Sequence, residues 1–277
     1  MKRLKMVGFP KAKINIGLRI TAKRSDGFHD IETIFYPVPL CDALEIVEAG
    51  EPSAGDIITV TGLDPGGSPE DNLVIRAIRT LRKEYPVPAL KIHLHKAIPA
   101  GAGLGGGSSD SAFTLSALNR QFGLSLDLGE LREIALETGS DSPFFIDPEP
   151  SYATGRGEVL TPVDPLAEGL HLLLVNPGIR VNTREAYGSC TPRTSGIKLN
   201  ELYNRPVPEW KNLIYNDFEE IVFRQYPLIA DIKRKLYESG ALYSSMSGSG
   251  STLYGIYSHQ PVVPEEIKPW VIYKGLL

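Results

Sequence analysis

Five glycines between positions 101 and 107 separate a strand-like segment from a helix-like segment. The preceding Leu90–Leu94 alternates apolar and basic residues, which is typical of a strand with one buried face. The following Ser111–Phe122 has apolar residues at helical spacing. Glycines let backbone N–H groups approach a ligand, and the N-terminus of a helix carries the positive end of its dipole. The sequence therefore predicts an anion site here, and a polyphosphate is the ligand that suits it best.

Two serines follow the glycines and place hydroxyl groups where a helix is expected to begin. A hydroxyl at this point can contact a phosphate oxygen or a Mg²⁺ ion, so Ser108 and Ser109 are the candidate magnesium ligands. The competing interpretation is a flexible linker with a serine cap, which gives no reason for so many glycines beside a well-patterned helix. The residues predicted to bind the phosphates are Pro99, Ala100, Gly101, Ala102, Gly103, Leu104, Gly105, Gly106, Gly107, Ser108 and Ser109.

The segment Pro99–Ser109 is called the glycine-rich run below. Two commoner phosphate motifs match it less well. Gly101, Gly103 and Gly106 fit the G-x-G-x-x-G pattern of dinucleotide-binding folds, which alone is a weak signal. The first strand of such a fold is buried on both faces, whereas Leu90–Leu94 is patterned for one, and no acidic residue follows where it would hold a ribose. A nicotinamide-dependent enzyme stays as the second hypothesis. The chain has no G-x-x-x-x-G-K-[ST] motif, which excludes a P-loop ATPase.

Metal binding by other side chains has little support in the sequence. His93 and His95 lie two residues apart on the predicted strand, but no nearby Asp, Glu or Cys completes a metal site. We expect both histidines to face solvent. Cys41 and Cys190 are too few for a disulfide framework or a thiolate metal site, which favours a reducing compartment.

Charge and hydropathy restrict the partners. The net charge of −4 and the sequence pI of about 5.8 argue against a broad basic field of the kind that binds nucleic acids or membrane surfaces. The longest uncharged window, Ser239–Pro264, is rich in serine and glycine and does not suit a membrane span. We therefore expect a soluble, cytoplasmic protein that acts on a small molecule.

The order of the expected elements predicts an α+β protein with two lobes, because strands and helices occur in runs and do not alternate strictly. We place the division at residue 160, with domains at 1–160 and 161–277. The predicted strands are Lys13–Thr21, Ala43–Val47, Ile57–Thr61, Leu90–Leu94, His171–Val175 and Leu253–Tyr257. The predicted helices are Val74–Tyr85, Ser111–Phe122, Leu128–Glu137 with Asp127 as its N-cap, Phe218–Phe223 and Leu228–Tyr237.

Several segments carry a resemblance to a known family. Pro99–Ala112 resembles the phosphate-binding motif of the GHMP kinase superfamily, and Met246–Thr252 resembles its C-terminal glycine-rich motif. Within the superfamily, Ala12–Leu18, Arg24–Thr33 and Gly139–Phe145 are similar to the kinases of the non-mevalonate isoprenoid pathway that phosphorylate 4-(cytidine 5′-diphospho)-2-C-methyl-D-erythritol. The resemblance implies the two-lobed GHMP kinase fold, with an N-terminal ATP-binding domain and an active site in the cleft between the lobes.

The resemblance also implies a reaction and its catalytic residues. ATP, with Mg²⁺, would donate its γ-phosphate to the 2-hydroxyl of the cytidine substrate. Asp141 would contact that hydroxyl and accept its proton, and Lys13 would neutralise the developing negative charge. Asn15 lies two residues after Lys13 on the same face of a strand, where it can hydrogen-bond a substrate hydroxyl. The alternatives are an N-cap role for Asp141, which precedes Pro143, and a strand-surface position for Lys13.

Cytosine recognition is implied for a second group of residues. Phe28 would stack on the base and His29 would hydrogen-bond its edge, although the family more often has tyrosine at the first of these positions. Thr183 and Tyr187 match a segment that supplies a threonine and a second stacking aromatic. Thr183 is equally explained as a helix N-cap, and Phe28 as a core aromatic beside a turn.

Other functions remain open on the sequence alone. A homoserine or mevalonate kinase of the same superfamily would share the glycine motifs but is not expected to have the Asp-Gly-Phe-His segment. A small-molecule sensor on the same scaffold would need neither Lys13 nor Asp141, and both are present.

Overall fold

A computed structural model describes residues 5–50, 55–192 and 196–277, and within these ranges the strands form three four-stranded sheets. The strands are β1 Lys5–Gly8, β2 Lys11–Lys23, β3 His29–Cys41, β4 Ala43–Glu48, β5 Ile57–Gly62, β6 Leu90–Lys96, β7 Ser151–Thr154, β8 Val159–Pro162, β9 His171–Val175, β10 Tyr243–Met246, β11 Leu253–Tyr257 and β12 Val271–Leu276. The α-helices are α1 Leu73–Arg82, α2 Gly106–Phe122, α3 Leu128–Leu136, α4 Thr183–Ser189, α5 Leu199–Tyr203, α6 Trp210–Leu213, α7 Glu219–Gln225 and α8 Pro227–Glu238. Short 3₁₀ helices cover Pro69–Asp71, Ser142–Ile146, Val207–Glu209 and Lys268–Trp270.

The predicted α+β class is confirmed, since strands and helices again occur in runs. Contacts divide the chain into two units, neither of which is continuous in sequence. The first comprises the chain up to Ala12, Leu40–Ala100 and Gly105–Pro148, and the second comprises Lys13–Pro39, Gly101–Leu104 and Glu149–Leu277. The division into domains at residue 160 stays a prediction.

The first unit contains a sheet in the order β1-β4-β6-β5, antiparallel except for the parallel pair β5 and β6. Strand β6 buries Leu90, Ile92 and Leu94 and exposes the residues between them, which confirms the predicted one-sided strand. His93 and His95 are exposed, and a ring nitrogen of each lies 3.0 Å from the Thr61 hydroxyl oxygen. Helix α2 packs against α1 and α3.

The second unit contains a sheet in the order β10-β11-β9-β12 and most of the sheet β2-β3-β7-β8. The predicted strands His171–Val175 and Leu253–Tyr257 are confirmed with the same bounds. Both are almost wholly buried, and their apolar side chains share a core with helices α7 and α8. Helix α7 begins one residue after the predicted Phe218 and α8 one residue before the predicted Leu228.

Helix α2 differs most from its prediction, because it begins at Gly106 and not at Ser111. Periodicity could not find this first turn, since glycine and serine give no apolar spacing and glycine has low helix propensity. Gly105 precedes the helix with φ of +70°, a left-handed conformation that favours glycine. The N-terminal end of the helix therefore lies directly at the glycines. No helix in the described parts of the chain is long and apolar enough to cross a membrane.

Helix α3 yields a test of local stability. The predicted N-cap is confirmed as a capping box, in which the Glu130 N–H donates to Asp127 Oδ1 at 2.9 Å and the Asp127 N–H donates to Glu130 Oε2 at 2.8 Å. Asp127→Ala should lower the free energy of unfolding by about 1 kcal/mol in urea titrations, because an N–H of the first turn loses its acceptor. Glu133→Ala, on the same helix and exposed, should change stability by less than about 0.5 kcal/mol. Equal losses in both variants would contradict the capping contribution.

Candidate active site

The glycine-rich run approaches the C-terminal glycine-rich motif through backbone atoms in the second unit. The Ser247 hydroxyl donates to the Gly103 carbonyl oxygen at 2.7 Å. A Cβ atom built on Gly103 would lie 1.9 Å from the Ser247 carbonyl oxygen, and the φ of Gly103 is +80°. Only glycine fits at this position. The two glycine-rich motifs, which are far apart in sequence, are therefore in contact. This contact alone requires glycine at position 103, whether or not a ligand binds there.

Lys13 directs its ammonium at the same run. It is 3% exposed, and its Nζ donates to the Gly103 carbonyl oxygen at 3.2 Å and to Asn15 Oδ1 at 2.5 Å. The ring of Phe35 lies 4.9 Å from Nζ, so a cation–π contact covers another side of the charge. The strand-surface interpretation of Lys13 is wrong, because its side chain is buried and its Nζ is held by hydrogen bonds.

Asn15 lies beside Lys13 and is 2% exposed. Its backbone N–H donates to Ser247 Oγ at 3.1 Å, and its side-chain Nδ2 donates to Thr33 Oγ1 at 2.9 Å. Its Oδ1 accepts from Lys13. The structure thus brings Lys13, Asn15, Gly103 and Ser247 together, with Asn15 orienting the lysine.

Asp141 lies in the first unit, directly before the short helix Ser142–Ile146. Its carboxylate makes no capping hydrogen bond to that helix, so the interpretation of Asp141 as an N-cap lacks support. A chain of hydroxyls fixes the segment: Ser111 on α2 donates to Thr138 at 2.8 Å, and Thr138 donates to Ser142 at 3.0 Å. All three hydroxyl residues are buried. The backbone that carries Asp141 is therefore tied to the second turn of α2.

Ser108 and Ser109 occupy the first turn of α2. Ser108 is partly exposed, whereas Ser109 is 2% exposed. The hydroxyl of Ser108 is thus the more accessible of the two candidate magnesium ligands.

Buried charges lie on both sides of the glycine-rich run. Asp42, Lys96 and Asp110 are 1%, 3% and 2% exposed, and Lys96 Nζ donates to a carboxylate oxygen of each aspartate. Burial raises the pKa of Asp110 to about 7, and the ammonium of Lys96 opposes that rise. Sequence reasoning missed Asp42 and Lys96, since single charged residues at strand ends are common, and gave Asp110 on α2 no role.

His29, Tyr187 and Phe218 form a group of aromatic contacts in the second unit, and Phe28 precedes His29 in the chain. The rings of His29 and Tyr187 stack with centroids 5.1 Å apart, and Tyr187 also packs edge-on against Phe218 at 4.8 Å. Phe28 is 49% exposed, although the guanidinium of Arg156 lies 4.7 Å from its ring centroid. The interpretation of Phe28 as a core aromatic is therefore wrong. A planar base can still stack on the exposed part of the ring.

Arg156 was missed by sequence reasoning. It lies between β7 and β8, two strands too short and too irregular in pattern to be predicted. The only available signal is the Gly-Arg-Gly sequence at 155–157, which is typical of a turn.

Thr183 does not have the capping role that the sequence left open. Asn182 is the N-cap of α4, and its side chain accepts from the backbone N–H groups of Arg184 and Glu185. Thr183 is the first residue of the helix, and its hydroxyl lies 2.8 Å from the Ser249 hydroxyl. Thr183 therefore contacts the C-terminal glycine-rich motif.

Comparisons with known proteins identify the family of the chain. The family model described as the GHMP kinases N terminal domain matches residues 72–147, and the GHMP kinases C terminal model matches residues 199–268. A 4-diphosphocytidyl-2-C-methyl-D-erythritol kinase of Bacteroides fragilis is 48% identical over 261 residues, which cover 94% of this chain and 93% of that enzyme. The enzyme of the same name from Parabacteroides distasonis is 49% identical over 252 residues, with coverages of 91% and 92%.

Solved structures confirm the implied fold. A crystal structure of 4-(cytidine 5′-diphospho)-2C-methyl-D-erythritol kinase superposes with a TM-score of 0.76 and 30% identity over 98% of both chains. The Methanococcus jannaschii mevalonate kinase superposes with a TM-score of 0.67 over 96% of this chain and 93% of its own, but at 14% identity it supports the fold alone. Because the Bacteroides fragilis and Parabacteroides distasonis enzymes are 48% and 49% identical to the chain over more than nine tenths of its length, the chain belongs to the family of 4-diphosphocytidyl-2-C-methyl-D-erythritol kinases, a branch of the GHMP kinases.

Proposed function

We propose that this chain transfers the γ-phosphate of ATP to the 2-hydroxyl of 4-(cytidine 5′-diphospho)-2-C-methyl-D-erythritol, a step of the non-mevalonate route to isoprenoids. The products are the 2-phosphate and ADP. The stacked pair His29 and Tyr187, together with the exposed ring of Phe28 next to His29 in the chain, supports this choice of acceptor. A mevalonate kinase and a homoserine kinase share the fold with TM-scores of 0.67 and 0.59, but neither mevalonate nor homoserine has a base to stack on these rings.

The base would be read by two contacts. Phe28 offers an exposed aromatic surface for stacking, and Arg156 holds the ring by a cation–π contact. His29 offers ring nitrogens to the hydrogen-bonding edge of cytosine, with Tyr187 packed on its face.

The chemical step is an in-line displacement. The 2-hydroxyl oxygen attacks the γ-phosphorus, the bond from that phosphorus to the β,γ-bridging oxygen breaks, and ADP leaves with the electron pair. The carboxylate of Asp141 takes the hydroxyl proton. Lys13, as a buried and fixed cation, stabilises negative charge as it develops on the reacting oxygens. No covalent enzyme intermediate is required.

The triphosphate would bind along Pro99–Ser109. Gly106, Gly107 and Ser108 lie in the first turn of α2, where the helix supplies no carbonyl partner for its own N–H groups. These N–H groups and the helix dipole therefore favour phosphate oxygens.

Magnesium suits this site as an ion carried mainly by the phosphates. Within the described ranges, no group of three or more His, Cys, Asp or Glu side chains could hold a metal ion. Mg²⁺ commonly keeps its waters and binds substrate phosphates with few protein ligands, and Ser108 is the accessible hydroxyl beside them. When bound, the ion would add positive charge against the γ-phosphate.

A coupled ADP-release assay tests the proposal, with the cytidine diphosphate substrate, mevalonate and homoserine offered separately. We expect ADP release with the cytidine substrate alone. Release with mevalonate or homoserine instead would overturn the acceptor, and reduction of NAD without ADP release would favour the nicotinamide hypothesis.

Asp141→Asn tests the proton acceptor. Turnover should fall by about 10²–10⁴-fold because an amide does not accept the hydroxyl proton, while both dissociation constants change little. Asp147→Asn is the matched control, since Asp147 is an exposed aspartate six positions further along the chain. Steady-state kinetics with both variants decide the matter, and turnover of Asp141→Asn within tenfold of wild type would refute the assignment.

Phe28→Ala tests the base site. The substitution should weaken cytidine-substrate binding by about 1–3 kcal/mol, by analogy with base–aromatic stacking elsewhere, and Phe28→Tyr should be nearly neutral. ATP affinity and melting temperature should barely change, because the ring is half-exposed. Phe9→Ala removes a phenylalanine that is 66% exposed and should affect neither ligand. Isothermal titration that finds unchanged substrate affinity in Phe28→Ala would eliminate the proposed pocket.

A further inference from the structure

One buried charge cluster in the first unit holds both ends of the glycine-rich run. Before the glycines, the backbone N–H groups of Ala97 and Ile98 donate to Asp42 Oδ1 at 2.6 and 2.8 Å. After them, Asp110 lies at the end of the first turn of α2 and accepts from Lys96 Nζ at 2.8 Å. Lys96 also donates to Asp42 Oδ2. The ammonium of Lys96 thus links the segment before the glycine-rich run to helix α2, which follows it.

Packing brings the helix start against this cluster. A Cβ atom on Gly106 would lie 2.8 Å from Ile98 Cγ2 and 3.2 Å from Lys96 Nζ. Gly106 therefore lets α2 begin directly on Ile98 and on the ammonium. A larger residue would separate the helix start from the cluster.

Stability alone gives a poor account of these charges. Removing charged groups from water is costly, and well-packed apolar residues commonly stabilise a protein as much or more. Two carboxylates also compete for one ammonium, and Asp110 Oδ1 is buried without a hydrogen-bond partner among the described residues. What the cluster does supply is geometry, since charge-assisted hydrogen bonds fix the positions of the atoms that they join.

We propose that Asp42, Lys96 and Asp110 form a clamp that fixes the distance between the two ends of the glycine-rich run and so spaces its N–H groups for a triphosphate. The inference rests on the proposed function, because it takes ATP as the ligand of the run. The three side chains are positioning residues that act through the backbone at 97–98 and through α2.

Asp110→Ala tests the clamp against the loss of a carboxylate charge elsewhere in the first unit. Asp56→Asn is the control, because Asp56 accepts from the Arg82 guanidinium at 2.7 and 2.8 Å, outside the run. Hydrogen exchange in the ligand-free protein should become faster across residues 97–110 in Asp110→Ala and stay unchanged there in Asp56→Asn. Isothermal titration should show ATP binding weakened about tenfold in Asp110→Ala, with cytidine-substrate binding within twofold of wild type.

Asp110→Asn provides the conservative variant and serves if Asp110→Ala does not fold. Its amide oxygen still accepts from Lys96 without the charge, so we expect a loss of ATP affinity of about threefold. Unchanged exchange across 97–110 and unchanged ATP affinity in the folded variants would overturn the clamp. Equal losses for ATP and the cytidine substrate, with a lower melting temperature, would also overturn it. Absence of ATP binding by the wild-type protein, with faster exchange in Asp110→Ala, would instead refute the proposed function and leave the clamp on the run standing.

Discussion

The backbone contact between Gly103 and Ser247 is the constraint on which the arrangement around Lys13 depends. A Cβ atom at Gly103 would lie 1.9 Å from the Ser247 carbonyl oxygen, so the two glycine-rich segments meet only because one has no side chain there. Lys13 Nζ donates to the Gly103 carbonyl oxygen, and the Asn15 N–H donates to Ser247 Oγ. Strand β2 therefore makes contact with both segments at the point where they meet.

This contact gives the buried Nζ of Lys13 a polar partner. An ammonium removed from water needs polar partners, and Lys13 has the oxygens of Asn15 and Gly103 as well as the ring of Phe35. Asn15 is itself held by Thr33 through its Nδ2 and by the Tyr254 hydroxyl at its carbonyl oxygen. The cation is thus supported by an ordered polar network and has a fixed direction.

The sequence predicted the elements that are determined by residues close together in the chain. The alternation of Leu90–Leu94 and the cap at Asp127 depend on neighbours in sequence, and both were confirmed. Strand β3 was missed because Pro37 and Pro39 interrupt its pattern, although proline is tolerated where its missing N–H is not needed. The first turn of α2 was missed because glycines and serines carry no periodic signal.

The candidate site divides along the same line. The glycine-rich run could be predicted from its own residues, and Lys13, Phe28 and His29 from short motifs that resemble the family; their roles stay predictions. Arg156 could not, since its contact with Phe28 arises only when the β7–β8 turn folds back beside residue 28. Asp42 and Lys96 were missed for the same reason. They contact each other and Asp110 only in the folded chain, where three charged residues from separate segments are buried together.

The span of chain between the joined segments has a consequence for biosynthesis. Gly103 and Ser247 are 144 positions apart, and Asn15 and Ser247 are 232 apart. Contacts of such separation form late, because the intervening chain must first be ordered. On a translating ribosome, β2 and the glycine run emerge long before Ser247 has been synthesised. The Gly103 carbonyl and the Asn15 N–H therefore lack their Ser247 partner for most of the time that the ribosome takes to make the chain.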